Sequence, residues 1–336
     1  MKELELFYKI CDHMENFKEY LEILNIKEIT HGLKDFIKFQ VTEKLAKKGV
    51  VIGLSGGIDS SVTATLSKES LNAENVLGLI LPEKESSKES MELALLLAKK
   101  LGIETKIVDI TNILDSFGIY KTRDDIVRKY FKSFNEYCKY RLAVSNQAII
   151  KGGLRIPFLE VLDENNNIQK FKLTPSDFSM LTAATSIKHR TRMTMLYFFA
   201  EQQNFAVLGS TNKSEYIQGY FVKYGDGGVD LEPISNLYKT QIYQLGRFLE
   251  IPDRILKRKA SPDTWSFEVS DEEFFYGIDY NTLDLIWFAK ENNFSIEKIQ
   301  ELVKFDKNQI KNLLAYLEKR WKSTTHMREI PPNFQF

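Results

Sequence analysis

The chain predicts an α/β fold built on a doubly wound parallel sheet, with helical N- and C-terminal parts and an inserted β-hairpin. Three observations predict it. Short strand-like runs recur at 50–53, 75–82, 105–110 and 205–210, the first of them apolar and β-branched, and helix-compatible stretches separate them. Strands alternating with helices argue parallel pairing through right-handed crossovers. The first run ends in a tight Ser-Gly-Gly turn, and one long stretch, 111–183, breaks the alternation.

Composition narrows the class. The 336 residues carry 46 Lys plus Arg and 46 Asp plus Glu, so the formal net charge is zero. No global attraction to nucleic acid or to a membrane surface follows. Cys11 and Cys138 stand far apart without a Cys-x-x-Cys partner, which reads as two reduced thiols rather than a disulfide framework or a zinc site. The start of the chain has no signal-peptide pattern and no long apolar span follows, so a cytoplasmic protein is expected.

Residues 1–49 read as helical, with Leu4, Phe7, Tyr8 and Cys11, then Ile29, Leu33, Phe36 and Ile37, at the spacing of packing faces. The first strand follows at Val50-Val51-Ile52 and runs into Gly53-Leu54-Ser55-Gly56-Gly57-Ile58-Asp59-Ser60-Ser61. A strand, a glycine turn and a helix start in that order aim unpaired N–H groups and the positive helix end at one spot, which favours a phosphate. Asp59 adds a carboxylate suited to Mg²⁺. The plain alternative is an ordinary strand-to-helix turn, but the full Ser-Gly-Gly-x-Asp-Ser run is more specific than a glycine pair. It is neither a Walker loop nor a dinucleotide fingerprint.

Asn75 to Pro82 reads as a second strand, and Ser86 to Gly102 as a helix with a Ser86/Glu89 capping box, an apolar face at Leu93, Leu96, Leu97 and Leu101, and a Gly102 stop. Thr105 to Ile110 is the third strand. Within 111–183, the charged, aromatic run from Arg123 to Tyr140 reads as helix, and Leu154–Leu162 with Ile168–Leu173 as a hairpin around an Asn-rich turn. Such an interruption suits a lid, a specificity element or an oligomer contact. Residues 184–204 return to helix. Arg190 and Arg192, two apart, cannot share a helix face, so one at most points into a site. His189 reads as a hydrogen-bonded or solvated helix histidine ahead of a catalytic base. The fourth strand, Phe205 to Ser210, leads into a second polar, glycine-rich stretch at a strand end, where charges at 215, 223, 226 and 230 gather. In parallel sheets, ligands bind at the strands' carboxyl ends.

The Ser-Gly-Gly-x-Asp-Ser loop resembles the pyrophosphate-binding loop of the ATP pyrophosphatases, which cleave ATP between the α- and β-phosphates. The segments 209–215, 219–230 and 233–234, then 237–241, 251–252, 261–265, 271–272 and 280–284, are similar to those of the NAD synthetases. The resemblance covers about 50–110 and 184–285, and implies one adenine nucleotide α-hydrolase-like domain over 1–336 with a helical region at 285–336. It implies ATP-dependent amidation of deamido-NAD by ammonia through an acyl-adenylate. Gly53, Leu54, Ser55, Gly56, Gly57, Ile58, Asp59 and Ser60 would bind ATP, with Ser210, Lys239 and Ser261. Asp59 and Glu215 would hold Mg²⁺, and Arg190, Lys223, Asp230, His326 and Met327 would meet deamido-NAD. Residues 261–265 match a closing loop. Asp59 and Lys239 would act in catalysis, with Asp263 as a partner for ammonia. The family's homodimer, with its dinucleotide site at the interface, is expected too. The chain has no room for a glutaminase domain, so ammonia would come from solution or from a separate protein.

Three features depart from the family pattern: Met327 in place of a lysine, Thr185-Ser186 in place of Gly-Asn, and the long insertion. All lie where the acyl substrate would sit. They leave open amidation of another carboxylate, such as a nucleotide-linked sugar acid; a regulatory nucleotide-binding protein is a third reading.

Overall fold

Strand residues that alternate between two apolar faces organise the molecule. The computed structural model describes residues 20–144, 152, 156–261, 264–267, 270–271, 278–303 and 305–334. Leu4, Phe7, Tyr8, Cys11 and Asp263 lie outside them. Helix α1 (Ile26–Phe39) is capped by Asn25, whose side chain accepts from the Glu28 N–H. Its Ile37 is fully buried, but Ile29 and Phe36 are exposed, so the expected four-residue packing face narrows to Leu33 and Ile37. Strand β1 (Val50–Gly53) leads into α2 (Ile58–Leu71), then β2 (Val76–Ile80), α3 (Lys88–Leu101) and β3 (Glu104–Ile107). Gly102 ends α3 in the left-handed conformation, as its position predicts. The expected capping box is not formed: α3 starts after Ser87, and Ser86 Oγ instead accepts from the Glu83 N–H at 3.1 Å. Leu96 faces solvent, while Leu93, Leu97 and Leu101 are buried.

Short helices α4 (Thr111–Ser116) and α5 (Ile119–Tyr130) come next. The helix expected over Arg123 to Tyr140 stops at Tyr130, and Tyr140 lies in β4 (Lys139–Val144). With β5 (Pro157–Leu162) and β6 (Ile168–Lys172) it forms a three-stranded antiparallel sheet, so the expected hairpin gains a third strand. Asp163 Oδ1 caps the hairpin turn by accepting from the N–H groups of Asn165 and Asn167. Helix α6 (Pro175–Gln203) runs 29 residues, starting nine residues before the expected 184 because Thr174 caps it and Pro175 opens it. Strand β7 (Ala206–Leu208) then joins the first sheet, followed by α7 (Lys213–Gln218), α8 (Lys239–Phe248), α9 (Asp253–Lys257), and the C-terminal α10 (Tyr280–Glu291), α11 (Ile296–Leu302) and α12 (Lys307–Ser323). Among the described residues no helix is long and apolar enough to cross a membrane.

The parallel sheet has the order β3-β2-β1-β7. Val50, Ile52, Val76 and Ile80 pack on one face against α1, α2, α3 and α8; Val51, Leu77, Leu79 and Val207 pack on the other against α4, α5 and α6. Strands covered on both sides read as continuous apolar runs. Separate apolar clusters hold the C-terminal helices together and fill the antiparallel sheet, where Trp265 packs with Tyr140, Leu142 and Leu159. The carboxyl ends of β1, β2 and β7 therefore open on one side, beneath the loops that follow them.

Two of those loops carry testable constraints. Gly56 has φ +73°, and a Cβ there would collide with the carbonyl oxygen of Ser90. Gly56→Ala is expected to cost at least about 1–2 kcal/mol in chemical denaturation, the left-handed penalty alone. Beyond β7, Glu232 is half-buried and accepts from the Thr211 N–H (3.0 Å) and hydroxyl (2.9 Å). Burial pushes its carboxyl up to about 8. The folded chain then keeps a proton that the unfolded chain gives up near the ordinary 4.5. Its stabilising contribution is present below that value and declines as pH rises to about 8. Melting temperature measured across this range should fall with pH, and Glu232→Gln should flatten the decline.

Candidate active site

The turn after β1 leaves a helix end open. Ser55 Oγ accepts from the Gly57 N–H at 3.2 Å and lies 3.0 Å from Ser60 Oγ, which itself donates to the Gly57 carbonyl. Gly57, at the N-cap of α2, has no side chain to close it. The unpaired N–H groups of the first turn and the helix dipole point outward at the end of the strand. Fourteen residues of helix lie behind that end, and Ser61 Oγ fixes its start by donating to the Gly57 carbonyl at 2.7 Å.

Three charged side chains meet beside it. Asp59, in the first turn of α2, pairs with Lys239 Nζ and accepts from Asn212 Nδ2 at 2.9 Å. Lys239 Nζ is 4.0 Å from Glu215. Each group comes from the N-terminal turn of a different helix. Asn212 and Glu215 form a reciprocal capping box on α7. Asp284 on α10 ties α7 to α8: it accepts from Ser214 Oγ at 2.5 Å and from the Thr240 N–H and hydroxyl. Ser214 Oγ also accepts from the Lys239 N–H at 2.9 Å. Burial raises the Asp284 carboxyl to about 6, while burial and then the charge of Asp59 push Glu215 well above the ordinary carboxylate range. Burial also raises Asp271, whose carboxylate accepts from Tyr220 (2.9 Å) and Tyr280 (3.1 Å). One ammonium thus faces more carboxylate than it neutralises, a setting that a divalent cation would relieve. Among the described residues no three His, Cys, Asp or Glu are arranged to hold a metal by themselves. The pair Asp59 and Glu215 fits Mg²⁺, which takes one or two carboxylates and completes its shell with water and phosphate oxygens.

Two pockets share Asp59 and Glu215 in their walls. The larger, about 290 Å³, runs from Gly53, Ser55 and Ser60 across to Ser210 and has an apolar floor that includes Leu79, Met193 and Leu208. The smaller, about 60 Å³, holds Gly57, Lys239, Arg258, Ser261 and Asp271. An apolar slot thus shares its Asp59 and Glu215 wall with a recess of mixed charge beside the open helix end, a pairing that suits a base and, with a divalent cation, its phosphates.

Of the other residues singled out from sequence, Arg190 donates to the Lys223 carbonyl at 3.3 Å, and Lys223 Nζ donates to the His326 carbonyl at 2.6 Å. Met327 follows in a 3₁₀ turn. Asp230 accepts from Tyr197 Oη and from the Val207 N–H. The structure gathers Arg190, Lys223 and His326, and leaves them outside the two pockets. It is Arg192 that reaches the larger pocket, donating to the Leu81 carbonyl at 3.1 Å. His189 lines that pocket too, paired with Asp226 at 3.4 Å, and burial pushes its imidazole below the ordinary value. Sequence reasoning gave no role to Asn212, Asp271 or Asp284. Asn212, one residue before α7 and three before Glu215, carried a capping-box signal that could have been read.

A model of the NAD synthase family matches residues 29–153 and 154–331. An NH₃-dependent NAD⁺ synthetase of Rhizobium meliloti is 38% identical over 283 residues, covering 84% of each chain. Another, from Thermotoga maritima, is 34% identical over 311 residues, 90% of this chain and 98% of that one. Among solved structures, an NH₃-dependent NAD synthetase from Campylobacter jejuni, in complex with nitrate ion, aligns with a TM-score of 0.61 at 28% identity, over 93% of this chain and all of that one. An NMN synthetase from Francisella tularensis shares the fold, with a TM-score of 0.63 at 23% identity over 93% and 99%. A phosphate-type helix terminus at a strand end, a shared carboxylate wall and similarity over most of the chain converge: the chain belongs to the NAD synthase family.

Proposed function

We propose that the chain is an ATP-dependent carbon–nitrogen ligase that converts deamido-NAD and ammonia to NAD, releasing AMP and pyrophosphate. The observation that carries this reading is the Asp59–Lys239–Glu215 group at the open end of α2, its two carboxylates on the wall that the two pockets share. Relatives named NH₃-dependent NAD⁺ synthetases, similar over most of the chain, support it.

A carboxylate resists attack by ammonia because oxide is a very poor leaving group. Its oxygen first attacks the α-phosphorus of ATP, and the bond to the bridging β-oxygen breaks. An acyl-adenylate and pyrophosphate result. The chain's part in this step is positioning and charge neutralisation. Gly53 through Ser60 would cradle the phosphates, with Ser210 from the larger pocket and Ser261 from the smaller, and Lys239 would meet the growing charge on pyrophosphate. Mg²⁺ held by Asp59 and Glu215 supplies Lewis-acid neutralisation when bound. Ammonia then attacks the acyl carbon, a proton is lost, and AMP departs with the electron pair of the broken bond. The chain of contacts through Arg190, Lys223 and His326, together with Met327 and with Asp230, is the proposed deamido-NAD site. Asp263 is proposed as the partner of ammonia. The nitrogen is drawn from solution or from a separate enzyme.

Exposed apolar side chains support a homodimer: Ile107 on the edge strand β3, Phe117 just past α4, and Phe198 on α6. The helical region before β1, residues 111–183 and the region after 285 are proposed as parts of one catalytic domain.

With ATP, Mg²⁺, ammonium and deamido-NAD, the purified chain should form NAD and pyrophosphate in equal amounts. Pyrophosphate without NAD, appearing only with a different carboxylate, would overturn the substrate assignment. Lys239→Met should slow pyrophosphate release by roughly 10²–10³-fold, the scale of losing one preorganised charge partner. A melting curve would serve as the folding control. Unchanged release would remove Lys239 from the step.

A further inference from the structure

A second group of buried charges lies away from Asp59 and Lys239. Glu83 and Glu85 sit on the loop after β2; Arg123 is on α5 and Lys188 on α6. The side chains of Glu83, Arg123 and Lys188 are fully buried, and that of Glu85 nearly so. Lys188 Nζ reaches Glu83 at 2.7 Å and Glu85 at 2.5 Å, and Arg123 reaches Glu85 at 2.5 Å. Tyr120 Oη donates to the second oxygen of Glu83 at 2.8 Å. Burial would push the Glu83 carboxyl up, but the charge and hydrogen bond of Lys188 outweigh it and hold the group below the ordinary range. Burying four charges is costly, and apolar residues of similar size often serve stability as well. The reason to keep them lies in what else they touch.

Both cations also bind one backbone atom. The Thr264 carbonyl accepts from Lys188 Nζ at 3.1 Å and from Arg123 Nη2 at 3.3 Å. The Arg123 guanidinium lies over the rings of Trp265 (4.7 Å) and Tyr140 (5.1 Å). Ser266 and Phe267 continue the attachment by hydrogen bonding to the backbone of Tyr140 on β4. The first of the two segments joined in this way borders the larger pocket, and the second begins shortly after a residue of the smaller one. Pro82, Ser86 and Ser87, beside Glu83 and Glu85, line the larger pocket, and Ser261, three residues before Thr264, lines the smaller one.

We infer that Glu83, Glu85, Arg123 and Lys188 form a positioning latch that holds the 82–87 loop and the segment at 264–267 in one register, so that the acyl-adenylate meets ammonia rather than water. The inference rests on the adenylation chemistry proposed above. These are positioning residues: they act through the two segments. When the register is lost, water attacks the acyl carbon, AMP leaves with the electron pair, and the proton goes to solvent. The carboxylate is regenerated and ATP is consumed without product. The antiparallel sheet and α5 thereby acquire a role, since they supply Arg123 and the Tyr140 edge.

The test compares pyrophosphate with NAD in the same reaction, using the full chain with ATP, Mg²⁺, deamido-NAD and a series of ammonium concentrations. Wild type should give a ratio near one. Arg123→Met should raise the ratio roughly threefold or more, most at low ammonium, because water then competes for an exposed intermediate. Trp265→Leu leaves the four charges in place and should do the same, so it carries the test if Arg123→Met fails to fold. Folded variants that keep a ratio of one at every ammonium concentration would overturn the latch. If wild type makes no NAD, the substrate reading fails, and trypsin cleavage at Lys257, Arg258 and Lys259 with ATP bound still judges the latch. Arg123→Met should be cut roughly tenfold faster, since a released segment opens more often; an unchanged rate would overturn the proposal.

Discussion

Lys239 lies between two carboxylates that would otherwise repel each other, and the helix ends around it depend on that arrangement. Asp59 and Glu215 belong to helices far apart in sequence, and burial makes their like charges expensive to hold together. A single ammonium at the start of α8 makes their proximity tolerable. The backbone follows: Ser214 and Thr240 both hydrogen bond to Asp284, so the starts of α7 and α8 share one anchor in the C-terminal helices. The charge balance at the site is therefore built into the packing of three helices.

That arrangement also gives the site its direction. The open end of α2 offers N–H groups, and Lys239 stands beside it rather than on the loop itself. A Walker loop brings its lysine within the same turn; here the cation comes from the far side of the β7 connection. Anchoring it at a helix start, with its Nζ already committed to Asp59, restricts its motion, which suits its proposed role toward the charge that develops on pyrophosphate.

The sheet and the phosphate turn were legible in the sequence because both are local. Val50 to Ser61 carries its strand, its turn and its helix start within twelve consecutive residues. The hairpin turn at Asp163 to Asn167 was readable for the same reason. What was not readable depended on contacts across the fold. Nothing near Tyr140 in sequence marks it as a strand residue that borders Ser266 and Phe267. Arg190 and Arg192 could be assigned to different faces from their spacing, but not to the correct one; the packing of Met193 and Leu196 against β1 and β7 turns Arg192 toward the pocket. Ser86 had the spacing of a helix cap, yet the Glu83 N–H and Arg192 claim its hydroxyl.

The departures from the family pattern take on a physical meaning in this light. Thr185 and Ser186 each donate to a carbonyl one turn back on α6, so their hydroxyls are already satisfied within the helix. The inserted sheet shares an apolar core with α5 and meets the 264–267 segment through Arg123 of that helix and through the backbone of Tyr140. Neither feature disturbs the Asp59, Glu215 and Lys239 group. Met327 differs, because it sits beside His326, whose carbonyl receives Lys223. A thioether there has no charge to offer a phosphate or a carboxylate. The cations at that end are tied to backbone: Arg190 donates to the Lys223 carbonyl, Lys223 to the His326 carbonyl and Arg328 to the Tyr216 carbonyl. The contacts proposed for the acyl substrate therefore depend on the tail staying folded against the glycine-rich loop, whereas those proposed for ATP rest on helix termini packed into the core.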